Sequence, residues 1–274
     1  MAKETTVIQP SSGWKLINFR EIYAAKDLVY FLVIRGIKAK YAQSILGVLW
    51  AVVQPLVQTL VFTVIFGNLA QLDSDGSPYF LFAFVAQVPW TYFSNVLSNA
   101  TNSLVTNKAM LSKVYFPRLV LPISVVFAQL LDFAVGFVVM VGLLIYYGYY
   151  PGWDIFLVLP LWLIMVMASL GLGNLLAALS IRYRDVVYVI ALITGLLMYS
   201  APAVYSIEII PEKYYFLYTC NPMVGVVEGM RSIFLGTKSF PWDMVLRGSI
   251  VAFIMFMLGT LYFRKVEKNI ADIA

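Results

Sequence analysis

Histidine is absent from this 274-residue chain, and cysteine occurs once, at Cys220. An intrachain disulfide is therefore excluded. So are imidazole acid–base catalysis and the usual zinc sites built on histidine and cysteine. Charge is scarce as well: 12% of residues are Asp, Glu, Lys or Arg, about half the share in soluble domains. Apolar residues make up 61%, more than one core can bury, so the chain requires lipid as part of its solvent. The net charge of +5 does not mark a nucleic-acid binder. The basic residues lie between apolar segments rather than in a patch interleaved with exposed aromatics. The polar N-terminus has no apolar run of signal-peptide type, so insertion is expected to use internal spans.

A span needs about 20 mostly apolar residues. Six stretches qualify, at about 45–67, 79–99, 119–147, 155–181, 186–205 and 245–263. The third and fourth exceed the minimum, and tilt or protrusion is expected of them. With the N-terminus inside, fifteen of the nineteen basic residues fall on the cytoplasmic side; Lys213, Arg231, Lys238 and Arg247 are the four outside. The positive-inside tendency thus predicts a multi-pass inner-membrane protein with both termini in the cytoplasm. Residues 1–13 read as a flexible tail. Residues 14–26 place Leu16, Phe19 and Tyr23 near one helical face and Lys15, Arg20 and Lys26 toward water. That pattern fits an amphipathic helix in the membrane interface or, equally, a short helix packed on a partner. No repeat or linker divides the chain, which reads as one domain over 1–274.

Residues 206–244 break the alternation, lying outside although largely apolar. Asn221-Pro222 supplies an N-cap followed by proline at the first helical position, and Gly236 fits the residue past the helix end. The helix between is too short to span, so a re-entrant or interfacial segment is expected before the last span. Glu228 and Arg231, three apart, are placed to pair.

No catalytic or metal-ligating constellation emerges. Asp73-Ser74-Asp75 is a turn in a short outer loop, and Gly236-Thr237-Lys238-Ser239 lacks the spacing of a phosphate loop. Asp132, within the third span, is costly in lipid and requires a partner; structural pairing is expected over a proton relay. Ser169, Gly173 and Ala177 suggest a close helix-packing face. Gln54, Gln58, Thr59, Gln87, Tyr199, Ser200 and Tyr205 could line a polar path or make interhelical hydrogen bonds. The basic loop from Asn107 to Arg118 could present Met110, Leu111 and Val114 to a cytoplasmic partner, rimmed by Lys108 and Lys113; it also fits a plain loop touching headgroups. The turn with Arg182, Arg184 and Asp185 reads as an anchor or as a second coupling point. With no nucleotide motif and weak signs of an ion-driven carrier, a separate ATPase subunit is the expected energy source.

Six sequence blocks carry a resemblance: Lys38 to Trp50 with Gln54-Pro55; Lys113 to Arg118 with Leu121-Pro122; Arg182 to Val186; Ser200 to Tyr205; Asn221-Pro222-Met223 with Arg231; and Tyr262 to Glu267. In this order they resemble the membrane subunit of type-2 ABC exporters, specifically polysaccharide (O-antigen) export permeases. The resemblance implies an all-α membrane fold of six spans. It implies a homodimer bound to two copies of an ATPase subunit, with ATP and magnesium on that subunit and no cofactor on this chain. It places the interface helix at 14–26 and a coupling helix at about 103–116. Asn107, Lys108, Met110, Leu111, Lys113, Val114, Arg182, Arg184 and Asp185 would then face the ATPase, and spans one and five the channel. The implied substrate is a lipid-linked glycan moved outward. Teichoic acid and drug exporters share the pattern, and a membrane enzyme acting on polyprenyl-linked sugars is the remaining alternative.

Overall fold

The computed structural model describes residues 19–267 other than Gln43, Ser112, Tyr115 and Arg184. All regular structure among them is helical. The described residues open with a short helix α1 (Phe19–Ala24) and, after a break at Ala25, the longer α2 (Lys26–Tyr41). The sequence pattern had placed the N-terminal helix at 14–26. Residues 14–18 lie outside the described residues, and the dominant helix is the one beyond. Its basic residues Arg35, Lys38 and Lys40 disguise a packing stripe in which Leu28, Val29 and Leu32 meet Leu104, Phe116, Leu119 and Phe263.

The first span, Gly47–Leu69, consists of a 3-10 turn, helix α3 (Trp50–Phe62) and a π-helical end over Thr63–Leu69. Pro55 removes a helical N–H, and Thr59 Oγ1 donates to the Pro55 carbonyl at 2.8 Å. Gly67 allows the Tyr79 ring to close in: a Cβ there would lie 2.8 Å from the ring.

Helix α4 (Tyr79–Thr106) is the hub, with 78% of its apolar window buried against 17% for the first span. It packs against α3, α6 (Val120–Tyr146), α7 (Val158–Arg182), α8 (Val186–Ser200) and α10 (Pro222–Leu235). It extends beyond the predicted limit at 99. Thr101, Asn102 and Ser103 return their side chains to carbonyls of their own helix, so a polar stretch continues without breaking the ladder. The helix therefore takes in the start of the expected coupling helix at 103–116. One further turn, α5 (Lys108–Leu111), follows.

Helix α7 meets α11 (Trp242–Glu267) at a glycine crossing. A Cβ on Gly171 would lie 2.5 Å from the backbone of Met255, and one on Gly259 would strike the Gly171 carbonyl. Asn174 donates to Thr260 Oγ1 across the same contact at 3.2 Å. The predicted small face of Ser169, Gly173 and Ala177 is buried. Its glycine fits against Ala100 of α4, whereas the tighter approach to α11 uses Gly171, two residues away.

Among the described residues, five helices are long and apolar enough to cross a membrane. The stretch predicted as the fifth of six spans is the shorter α8, of 15 residues. It ends at Ser200 rather than 205 because Pro202 disfavours helical backbone at Ala201, which is extended. Helix α9 (Glu212–Thr219) and α10 follow. Asn221 accepts from the Met223 N–H at 3.1 Å, Pro222 opens α10, and Gly236 closes it with φ +63°. Every residue of α10 except Ser232 is buried, packed on α4, α7 and α11. The backbones of α10 and α11 nearly touch where Gly225 meets Met244.

Candidate functional site

Three regions hold the polar chemistry. The first is the basic end, where α4 stops and α6 begins. Asn107 follows α4 directly; its Nδ2 donates to Ser103 O at 2.8 Å and its Oδ1 accepts from Arg35 of α2 at 3.4 Å. Met110 and Leu111 are half-buried against the chain's own apolar base, while Lys108, Lys113 and Val114 are exposed. The stripe inferred from the sequence is therefore divided, with two apolar members turned inward and Val114 outward. Arg118 donates from its backbone N–H to Glu267 Oε1 at 2.9 Å and from its guanidinium to the Glu267 carbonyl, joining the two helix ends. Arg182 is exposed and stacks over Tyr183 at 5.6 Å. Asp185 precedes α8 without a side-chain capping bond. Arg184 lies outside the described residues.

The second region is a seam between α3, α4 and α8. Gln87 Nε2 donates to Gln58 Oε1 at 3.0 Å and to Thr91 Oγ1 at 3.2 Å. Gln58 Nε2 approaches Met198 Sδ at 3.6 Å. Gln58 and Gln87 thus join three helices. Thr59 is buried and committed to the Pro55 carbonyl, whereas Gln54 is exposed. At the far end of α8, Tyr205 OH donates to Tyr199 O at 2.7 Å and lies 2.9 Å from Tyr218 OH. Asn221 Nδ2 donates to Ser200 O at 3.0 Å. Tyr199, Ser200 and Tyr205 thus form one cluster, about 20 Å along α8 from its start. Beside the seam, apolar residues of α3 (Val57, Leu60, Val61), of the π-helical end (Val64) and of α8 (Leu192, Leu196) are uncovered.

The third region lies at the far end. The Glu228–Arg231 pair is present, at 2.7 Å and almost fully buried. Its further work was not visible in the spacing. The Arg231 guanidinium lies 3.4 Å over the Phe82 ring and donates to Ala203 O and Tyr205 O, each at 3.3 Å. Non-helical backbone after α8 exposes carbonyls that must be satisfied inside protein, and Arg231 satisfies two. Nearby, Asp75 accepts from Ser206 Oγ at 2.8 Å and from Lys238 Nζ at 2.9 Å, and Lys238 also pairs with Glu208 at 2.9 Å. Three far-end loops are clasped together. Burial lowers the Lys238 pKa, but the bonds to Asp75 and Glu208 outweigh it, and the net shift is upward. The Asp73-Ser74-Asp75 stretch is a turn, as its composition predicts, with φ +54° at Asp75 and +78° at Gly76.

Asp132 has two partners. Its carboxylate accepts from Lys40 Nζ and from Tyr41 OH, both at the end of α2. Burial, reinforced by this carboxylate, pushes the Tyr41 phenol well above its usual pKa and keeps it a donor.

A hub helix packed among several long apolar helices, with few polar contacts joining them, is the build of a multi-pass membrane protein. The chain belongs to the ABC-2 type transporter family, whose model matches residues 27–235. It is 30% identical to the O-antigen export system permease protein RfbA of Myxococcus xanthus, over 92% of this chain and 97% of the relative. It is 22% identical to the capsule polysaccharide export inner-membrane protein CtrC of Neisseria meningitidis, over 89% and 93%. It is 25% identical to the polysialic acid transport protein KpsM of Escherichia coli, over 75% and 80%.

Proposed function

We propose that this chain is the membrane subunit of an ATP-driven exporter that moves a lipid-linked polysaccharide out across the cytoplasmic membrane. The observation that carries this is the full-length similarity to the O-antigen export permease. The chain works as a homodimer with two copies of an ATPase subunit, which hold the ATP and magnesium. Helix α8 completes six spans, lengthened by the packed segment after it, and α10 is the re-entrant piece. Both termini, and with them the basic end, face the cytoplasm, as the charge distribution supports. The whole chain is one transmembrane domain.

The loop from Asn107 to Val114 and the turn at Arg182, Arg184 and Asp185 dock on the ATPase. Closure of the ATPase moves the basic end, and Arg35–Asn107 and Arg118–Glu267 pass that displacement to α2, α4, α6 and α11. The uncovered faces of α3 and α8 meet their copies in the second subunit. Gln54, Gln58, Gln87, Tyr199, Ser200 and Tyr205 then border the glycan path. Thr59 contributes through helix geometry, since its hydroxyl is committed to the backbone.

The test is reconstitution of the chain and its ATPase in proteoliposomes with a lipid-linked O-polysaccharide. ATP-dependent appearance of glycan at the opposite face supports the reading. A chain that binds no ATPase, or moves no glycan with ATP, sinks it.

A further inference from the structure

Helix α2 is held to the third span by a feature that the docking loops and the seam do not use. Asp132 is the one acidic residue in α6, and its side chain is 10% exposed. Its carboxylate accepts from two consecutive residues at the end of α2. Four residues earlier on both helices, Gly36 lies against Ala128: a Cβ on Gly36 would be 3.5 Å from the Ala128 Cβ. The two helices therefore run in the same direction, and α2 climbs along α6 from the basic end. Asp132 lies about 18 Å along α6 from its start, level with Trp50 and Gln54 of the first span, which line the same small crevice.

Beyond this contact the chain changes character. Ala42 is extended, Ile45 is fully exposed, and Gly47 takes φ +49° with open space around its Cβ position. The span that follows is less buried than any other of the five long spans. The connection between α2 and the first span thus carries an exposed Ile45 and a left-handed glycine.

We propose that Asp132 is a positioning residue that clamps α2 to α6 as one body, so that the two helices move together when the basic end is displaced. This rests on the transport reading above. Motion of α2 at the basic end would pass to the middle of α6 through the clamp. Loss of the carboxylate would let α2 slide on α6 and dissipate that motion. The alternative is that the α2–α6 contact itself must break in each cycle.

A disulfide decides between these. In a Cys220→Ser background, Gly36→Cys with Ala128→Cys places two Cβ atoms at a separation a disulfide accepts. The pair is oxidised in inverted membrane vesicles carrying the complete transporter, and crosslinking is read by mass spectrometry. We expect the crosslink to form, form more slowly with Asp132→Ala, and leave export unchanged when Asp132 is intact. Asp132→Ala should lower export about two- to thirtyfold, the scale at which a lost coupling contact acts. Oxidation of the cysteine pair should restore it, a rescue that a folding defect would not show. Lys40→Met with Tyr41→Phe should reproduce the loss while retaining the carboxylate. Failure to crosslink, arrest of export by the crosslink, or wild-type export by Asp132→Ala would each overturn the proposal. If the unsubstituted complex moves no glycan, the export reading fails, and the crosslinking rates alone decide the clamp.

Discussion

Arg231 shows how much one side chain carries. It neutralises Glu228, covers Phe82 and satisfies two carbonyls of the segment after α8. Arg231→Met leaves a buried carboxylate and two open acceptors, and should cost about 3–5 kcal/mol. Arg231→Lys keeps the charge but loses the planar fork, and should fall in between. Combining Arg231→Met with Glu228→Met should destabilise less than Arg231→Met alone, because no charge is left stranded. Thermal unfolding in detergent checks the order. Lys238 obeys different arithmetic. Its folded-state pKa is raised above the ordinary 10.5, so the clasp's contribution is complete at neutral pH and is lost only as pH rises through the folded value. Lys238→Met should lower the melting temperature at pH 7, and the difference from wild type should shrink in strong base.

At the scale of elements, the α7–α11 crossing and the basic-end loop make separate predictions. Gly259→Ala drives a methyl into the Gly171 carbonyl, and backbone cannot yield as a side chain can. The helices must separate, at about 1–3 kcal/mol or more, which limited proteolysis of the membrane-inserted protein would show. Gly142→Ala on α6 meets nothing within 4 Å and should be neutral to within about 1 kcal/mol. In the loop, Met110→Asp is a poor test of docking, because it also places a carboxylate against Leu32, Phe116 and Phe263. Val114→Asp and Lys108→Glu change only exposed positions. They should abolish co-purification of the ATPase while leaving insertion and melting temperature unchanged; retained binding by both would remove the loop from the interface.

For the whole molecule, the uncovered faces of α3 and α8 meet either lipid or protein, and the proposed neighbour is a second copy. With Cys220 replaced by Ser, a cysteine at Leu192 or Leu196 should give a crosslinked dimer in native membranes, whereas one at Val138 of α6, exposed as well, should not. The reverse pattern would place the subunit contact on α6. The clamp at Asp132 lies partway along α6, whereas the brace at Arg231 lies at the far end. Cytoplasmic and far-end changes should therefore separate in assay, the first altering the coupling of ATP turnover to export and the second altering stability.

The sequence by itself determined the membrane solvent and the five long spans, because apolar length is a local quantity; the sidedness expected from Lys and Arg stays part of the proposal. It also determined the caps of α10, since Asn221, Pro222 and Gly236 act within a few residues of themselves. Glu228 and Arg231 were legible as a pair because helical neighbours lie three apart. Only the tertiary structure decided which side of α5 is covered, that Leu28, Val29 and Leu32 of α2 join the apolar base, and that Asp132 is held by Lys40 and Tyr41, more than 90 positions away. It alone assigned the closest helix crossing to Gly171 and Gly259, and two carbonyls after Pro202 to Arg231. Each of these depends on where a side chain from a distant part of the chain arrives, and neither periodicity nor composition encodes that.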